Sequence, residues 1–309
     1  MKSYRPSRLA AAATAAAVLV TAAACASANS SHNDGKTDAL TANQAAGQSS
    51  AGQSPQPTVQ PPLVASISTI SPTPSDPATS AKSTPTPETL TPAAATTQGW
   101  GSPSYVDNFD GTRLSRDWGV YDHPNDDPPR SASAVKVSGG MLNITGGFIG
   151  GRDEGGGLAS DINQKYGRWE IRYRVDKGAG YASDVLLWPK DENWPTSGEI
   201  DISEIGDSNR NGSPMFVHNG PNNDQLDGEA KGDFSQWHTV AVEWEPDHVA
   251  FYVDGVRQSF QVTKSAHPRM IPDLSAMHLA LQLDQGCCRN SSTPSKVVMQ
   301  IDWVKIYPA

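Results

Sequence analysis

The chain has 309 residues and a formal net charge of −9, with no Lys/Arg cluster against the acidic balance. That excludes a nucleic-acid partner or attachment to an anionic membrane through charge, and it disfavours a strongly anionic substrate. Of three cysteines, Cys287 and Cys288 are adjacent, which fits no metal-site spacing; the pair reads as a loop feature able to close a vicinal disulfide outside the cell, not as a redox centre.

In chain order, the first segment reads as an export signal. Lys2, Arg5 and Arg8 give a positive start, and Leu9 to Ala24 is an uncharged run of 16 residues rich in Ala, Val and Leu. That run is short for a membrane span, so cleavage is expected. Ala22-Ala23-Ala24-Cys25 resembles a bacterial lipoprotein box, with Ala where Leu is usual, and would make Cys25 a lipidated N-terminus; the alternative is ordinary cleavage after Ala28. The lipid-anchored reading is preferred because Cys25 otherwise has no role in its stretch. Residues 1–28 are therefore assigned to the signal.

Residues 29–98 are rich in Ser, Thr, Ala, Pro and Gln, with ten prolines between Ala51 and Gln98 and no aromatic between Ala26 and Gly99. Such a composition buries too little apolar surface to offset its ordering entropy. Ser71-Pro72-Thr73-Pro74 and Thr84-Pro85-Thr86-Pro87 favour extended polyproline-like backbone. This is a linker that carries no chemistry. All eight tryptophans lie at or after Trp100, so the folded domain is assigned to 99–309, about 210 residues, enough for one all-β domain.

Within that domain the hydrophobic period is two. Trp169 to Val175, His238 to Trp244, Val249 to Val253 and, less strictly, Val297 to Ile306 alternate apolar with polar residues, as half-buried strands do. Asp254-Gly255 marks a hairpin turn. No segment holds a helical apolar stripe for three turns. Many short strands separated by Gly and Asn predict an all-β antiparallel sandwich. Trp244 and Trp303 fit core positions on their strands.

The segment that carries chemistry is Gly198-Glu199-Ile200-Asp201-Ile202-Ser203-Glu204. On a strand Glu199 and Asp201 share one face, with Ile200 and Ile202 on the other. Strict alternation would then bury Glu204, which is costly for an unpaired carboxylate. One extra residue around Ile202-Ser203, a β-bulge, returns Glu204 to the acidic face. Three neighbouring carboxyls raise one another's pKa. A glycosidase needs this asymmetry, one carboxyl ionised to attack and another protonated to donate. Alone, such a pattern equally suits a solvated acidic face or a cation site.

Context decides. The segment resembles the active-site signature of glycoside hydrolase family 16 in its bulged form. Asp107-Asn108-Phe109-Asp110-Gly111 with Trp118, Tyr166-Gly167-Arg168-Trp169-Glu170, Trp194-Pro195, the pair Trp237-His238 to Trp244 and Phe251 to Gly255, and Asp302 to Tyr307 resemble the family's other strands in the right order. The resemblance spans about 104–309. It implies a concanavalin-like β-jelly roll with a concave substrate cleft. It also implies a retaining, endo-acting glycosidase on a β-linked glucan or galactan, with Glu199 as nucleophile, Asp201 as helper and Glu204 as acid/base. No cofactor is required by this chemistry. Some members carry a structural calcium; Asp302 would suit one, but Asn108 stands where an acid is expected, so no metal is assigned.

Around the signature, His218 is expected to hydrogen-bond Glu204 or a sugar hydroxyl. Tyr181, Trp188 and Trp194 are candidate platforms for sugar C–H faces, and Gln282 is a candidate sugar contact. Leu186 replaces a tryptophan common in the family, which bears on subsite shape. The expected partner is a polysaccharide, with no nucleic acid, membrane attachment only through Cys25, and a monomeric, extracellular or surface-anchored protein. A catalytically inactive polysaccharide-binding lectin and a transglycosylase are the alternatives.

Overall fold

The computed structural model describes residues 92–126, 128–149, 151–286 and 296–309. Cys25, Cys287 and Cys288, the export signal and most of the linker lie outside them. The described strands are β1 (Tyr105–Asp107), β2 (Trp118–Val120), β3 (Val135–Ser138), β4 (Met141–Ile149), β5 (Arg152–Glu154), β6 (Gly156–Ser160), β7 (Gly167–Val175), β8 (Tyr181–Pro189), β9 (Glu199–Ile205), β10 (Gly212–Asn219), β11 (Asp224–Lys231), β12 (His238–Glu245), β13 (His248–Val253), β14 (Val256–Thr263), β15 (Met277–Gln285) and β16 (Lys296–Tyr307).

They form the predicted antiparallel sandwich. One sheet has nine strands in the order β14-β13-β12-β7-β16-β4-β3, with β1 on β16 and β5 on β4; the other has seven, β11-β10-β9-β8-β15-β6-β2. The period-two reading of β7 holds to the residue: Trp169, Ile171, Tyr173 and Val175 are fully buried between the sheets, while Arg168 and Arg174 are only half-buried on the other face. Trp169 and Trp244 meet in this core with ring centroids 6.1 Å apart. Each fully buried side chain of this size is worth roughly 1.5–3 kcal/mol. The β13–β14 hairpin turns at Asp254-Gly255, both with positive φ, as a type I′ turn requires.

Two expectations are corrected. The folded unit starts before Gly99: a five-residue helix, α1 (Ala94–Gln98), packs Ala94 against Ala241, Ala250 and Tyr252. Glu170, fully buried on β7, accepts hydrogen bonds from the backbone N–H groups of Ala94 and Ala95 and from the Tyr307 hydroxyl. A composition-based boundary could not register a contact made by alanines. Trp303, expected in the core, is half-buried on the outer face under the Lys305 ammonium. The cause is a bulge in β16 between Ile301 and Trp303, opposite β7, which reverses the alternation for the rest of the strand.

Candidate active site

The outer face of the seven-stranded sheet gathers the chemistry. Its strand β9 pairs with the central strand β8 through Leu187↔Ile200, Leu186↔Asp201, Val185↔Ser203 and Asp184↔Glu204, with a register shift between Val185 and Leu186. Ile202 is thus the extra residue, and the bulge sits where the sequence required it. Ile202 and Ser203 both point inward and are buried, whereas Glu204 is half-buried on the outer face.

The inward hydroxyl of Ser203 is satisfied from two directions. Tyr173 Oη, reaching across from the nine-stranded sheet, lies 2.5 Å from Ser203 Oγ, and Ser213 on β10 donates to it at 2.7 Å. A polar group with partners only in this phase holds the bulge in place, because slippage would bury Glu204 and strand three hydroxyls.

Glu199 begins β9 directly after Gly198, whose φ is +81° and whose missing Cβ would stand 2.8 Å from His218 O and from Pro272. Only glycine fits this turn. Glu199 and Asp201 are 1% and 3% exposed. Trp194 donates its indole N–H to Glu199 Oε2 at 2.7 Å. Burial, and secondarily the charge of Asp201, push the Glu199 carboxyl well above the usual carboxylate range, with His218 and the Trp194 hydrogen bond opposing. Burial and then Glu204 push Asp201 up, while a hydrogen bond with Glu199 opposes. Glu204 is raised by burial, with His218 opposing. Three neighbouring carboxyls, each raised by burial, disfavour one another's ionisation, which is the asymmetry an acid and a carboxylate in one site require.

Other candidates divide by strand parity. Trp188 shares the outer face of β8 with Leu186; the two cluster with Ala280 and Trp194, and the Trp188 and Trp194 rings stack at 6.1 Å. Glu192 Oε2 accepts from Trp188 Nε1 at 2.9 Å. Gln282 lies on the outer face of β15 opposite Asp184. Tyr181 does not belong to the site: it is 2% exposed within the inter-sheet core, with its ring over Gly146 and its hydroxyl on Asp153. Its odd position on β8 puts it on the inward face with Ser183, Val185 and Leu187. His218 pairs in register with Glu199, and its Nε2 lies 3.4 Å from Asp201, not on Glu204; its Nδ1 is 2.9 Å from Asn223 Oδ1. It lies opposite Glu199 on the neighbouring strand, five residues before Glu204 along β9, which is why it meets the helper carboxyl.

Asp184, Arg130 and Asp284 were not singled out by the sequence. Asp184 stands in register with Glu204, and Asp284 binds the Arg130 guanidinium through two contacts, Nε to Oδ1 at 2.8 Å and Nη2 to Oδ2 at 2.5 Å. The available signal was parity, since Asp184 alternates with Leu186 and Trp188. Donor atoms of Glu199, Asp201 and His218 lie within 4.8 Å of one another, close enough to hold a cation, though a proton between the carboxyls suits the same spacing. Asn108 is exposed and Asp302 is held by Arg172 at 2.7 Å, so these two do not present the carboxylate pair associated with a structural calcium.

The family model for glycosyl hydrolases family 16 matches residues 130–305. A glucan endo-1,3-beta-glucosidase A1 from Niallia circulans is 27% identical over 169 residues, which is 47% of this chain and 25% of that protein. A beta-glucanase from Acetivibrio thermocellus is 29% identical over 150 residues, 46% of this chain and 42% of that protein. The chain thus spans less than half the length of these curated relatives. The catalytic domain of an endo-1,3-beta-glucanase (laminarinase) from Thermotoga petrophila superposes with a TM-score of 0.59 at 22% identity, covering 67% of this chain and 97% of that one. That likeness establishes the fold.

Proposed function

Because this chain belongs to glycosyl hydrolases family 16, we propose that it is an endo-acting, retaining glycosidase of a neutral β-glucan. Glu199 is the nucleophile, Asp201 its helper and Glu204 the acid/base. One observation carries the reading: the bulge at Ile202 puts Glu204 on the face that already holds Glu199 and Asp201.

Glu204 gives its proton to the glycosidic oxygen as the Glu199 carboxylate attacks the anomeric carbon, and the leaving sugar departs with that proton. Glu204, now a carboxylate, takes a proton from water, which displaces Glu199 from the glycosyl-enzyme. The Trp194 N–H stabilises ionised Glu199, and Asp201 takes up the proton that Glu199 must not carry. The stacked Trp188 and Trp194 offer an apolar wall for sugar C–H faces. Among the described residues of this face, Asp184, Glu199, Asp201, Glu204 and Asp284 outnumber the cationic Arg130, which Asp284 already occupies. That balance favours an uncharged glycan over a sulfated one and agrees with relatives named as glucanases. The export signal supports action outside the cell.

The test is reducing-sugar release and product sizing on laminarin, lichenan, agarose and κ-carrageenan. Loss of release in both Glu199→Gln and Glu204→Gln supports the assignment, and activity retained in both ends it. Binding without turnover by the unaltered protein points to a lectin; products longer than the starting oligosaccharide point to a transglycosylase.

A further inference from the structure

Glu204 has a partner that neither the signature nor the mechanism above uses. Once the bulge has added its extra residue, the register of β9 with β8 resumes at Val185↔Ser203 and next sets Asp184 directly opposite Glu204. Directly opposed residues of an antiparallel pair carry their Cβ atoms roughly 4.5–5.5 Å apart on the same face, so the two carboxyls are cross-strand neighbours on the outer face. Without the bulge Asp184 would face Ser203 instead.

Among the described residues, the two basic groups that oppose their charge are each engaged by another carboxyl. Arg130 is held by both oxygens of Asp284. His218 faces Asp201. On its far side Asp184 is opposed by neutral Gln282 of β15, beyond which Gly157 of β6 carries no side chain and the Tyr121 ring covers its place. Asp184 Oδ1 is buried and accepts no hydrogen bond among the described residues. A buried carboxyl oxygen without a donor, beside a second carboxyl, is costly unless a proton is shared between the two.

We propose that Asp184 is a positioning residue for the catalytic proton: its carboxyl and that of Glu204, facing each other across β8 and β9, hold one proton between them. The inference rests on Glu204 being the acid/base. The site then consists of two carboxyl pairs, Glu199 with Asp201 along β9 and Glu204 with Asp184 across the strands. In the resting enzyme the second pair carries one negative charge. When the glycosidic oxygen takes the proton, two carboxylates are left face to face, and their repulsion makes Glu204 a stronger base toward the water of the second step. That water returns the proton. Burial first, then Glu204, Asp284 and Asp201, hold the Asp184 carboxyl well above its ordinary range, with Arg130 opposing; Tyr173 and Arg210, on the core side, sense the same charge.

The test compares kcat/KM against pH for the unaltered enzyme, Asp184→Asn and Asp184→Glu on whichever polysaccharide the enzyme cleaves. Removing one negative neighbour lets Glu204 lose its proton earlier, so the alkaline limb of Asp184→Asn moves down by about one pH unit, while Asp184→Glu keeps the limb near its original place. Asp184→Ser serves equally should the Asn variant not fold. A ¹³C-carboxyl NMR titration of glutamate-labelled protein reads the same shift at Glu204 without any turnover, so that failure of the enzymatic assignment remains distinguishable from failure of this one. An alkaline limb and a Glu204 midpoint both unmoved in the charge-free variants overturn the proposal, as does a rise in KM alone, which would make Asp184 a sugar contact.

Discussion

Trp194 and Glu199 are tied by a hydrogen bond of 2.7 Å, and the same indole stacks on Trp188. One residue thus joins the wall that would receive the sugar to the carboxylate that would attack it. Trp194→Phe separates the two roles. It keeps a ring for stacking and removes a donor to a charged acceptor, an interaction worth about 1.5–3 kcal/mol. The expected result is a fall in kcat/KM of roughly 10- to 100-fold. Since that hydrogen bond lowers the Glu199 pKa, its loss moves the acid limb of the profile to higher pH. A KM effect with an unmoved acid limb would refute the role given to the indole.

The acidic row is held together against its own electrostatics, and stability should show it. Glu199 and Asp201 have folded-state pKa values raised by burial. Between the unfolded and folded pKa the native state binds more protons than the unfolded chain, so stability falls as pH rises through that window. Above it the penalty is complete. Glu199→Gln is therefore expected to raise Tm at pH 8 by a few degrees, the shift that about 1 kcal/mol produces in a domain of this size. Near pH 4 the difference should vanish. Thermal unfolding at both pH values decides the matter, and a variant less stable at pH 8 contradicts it.

The hydroxyl cluster under the bulge predicts non-additivity. Ser203→Ala leaves the Tyr173 and Ser213 hydroxyls buried with a partner missing, at a cost of about 1–3 kcal/mol. Removing all three hydroxyls (Tyr173→Phe, Ser203→Ala, Ser213→Ala) leaves nothing orphaned. Denaturant unfolding should show the triple variant more stable than the sum of its single losses. Strict additivity would mean that the cluster does not act as a unit.

Gly198→Ala tests the turn that launches β9. A Cβ there meets His218 O and Pro272 at 2.8 Å in a positive-φ backbone, so both strain and clash oppose it. A loss of about 2 kcal/mol or more is expected, together with lower activity, because Glu199 is the next residue. Unchanged Tm and activity would show that the turn can relax.

The sequence by itself determined the class of fold, the strand carrying the carboxyls and even the bulge, because period-two alternation and the cost of burying a lone Glu204 are local facts. It named Glu199, Asp201 and Glu204, and it named Trp188, Trp194 and Gln282, of which Trp188 and Gln282 lie on the outer face of β8 and β15 and Trp194 packs on Trp188 from the turn before β9. It could not give the pairing register. Register is fixed by contacts between residues far apart in the chain, and a one-residue change exchanges every neighbour. Tertiary structure alone therefore turned Tyr181 into the core, carried Trp303 outward past the second bulge, directed His218 to Asp201 and set Asp184 opposite Glu204.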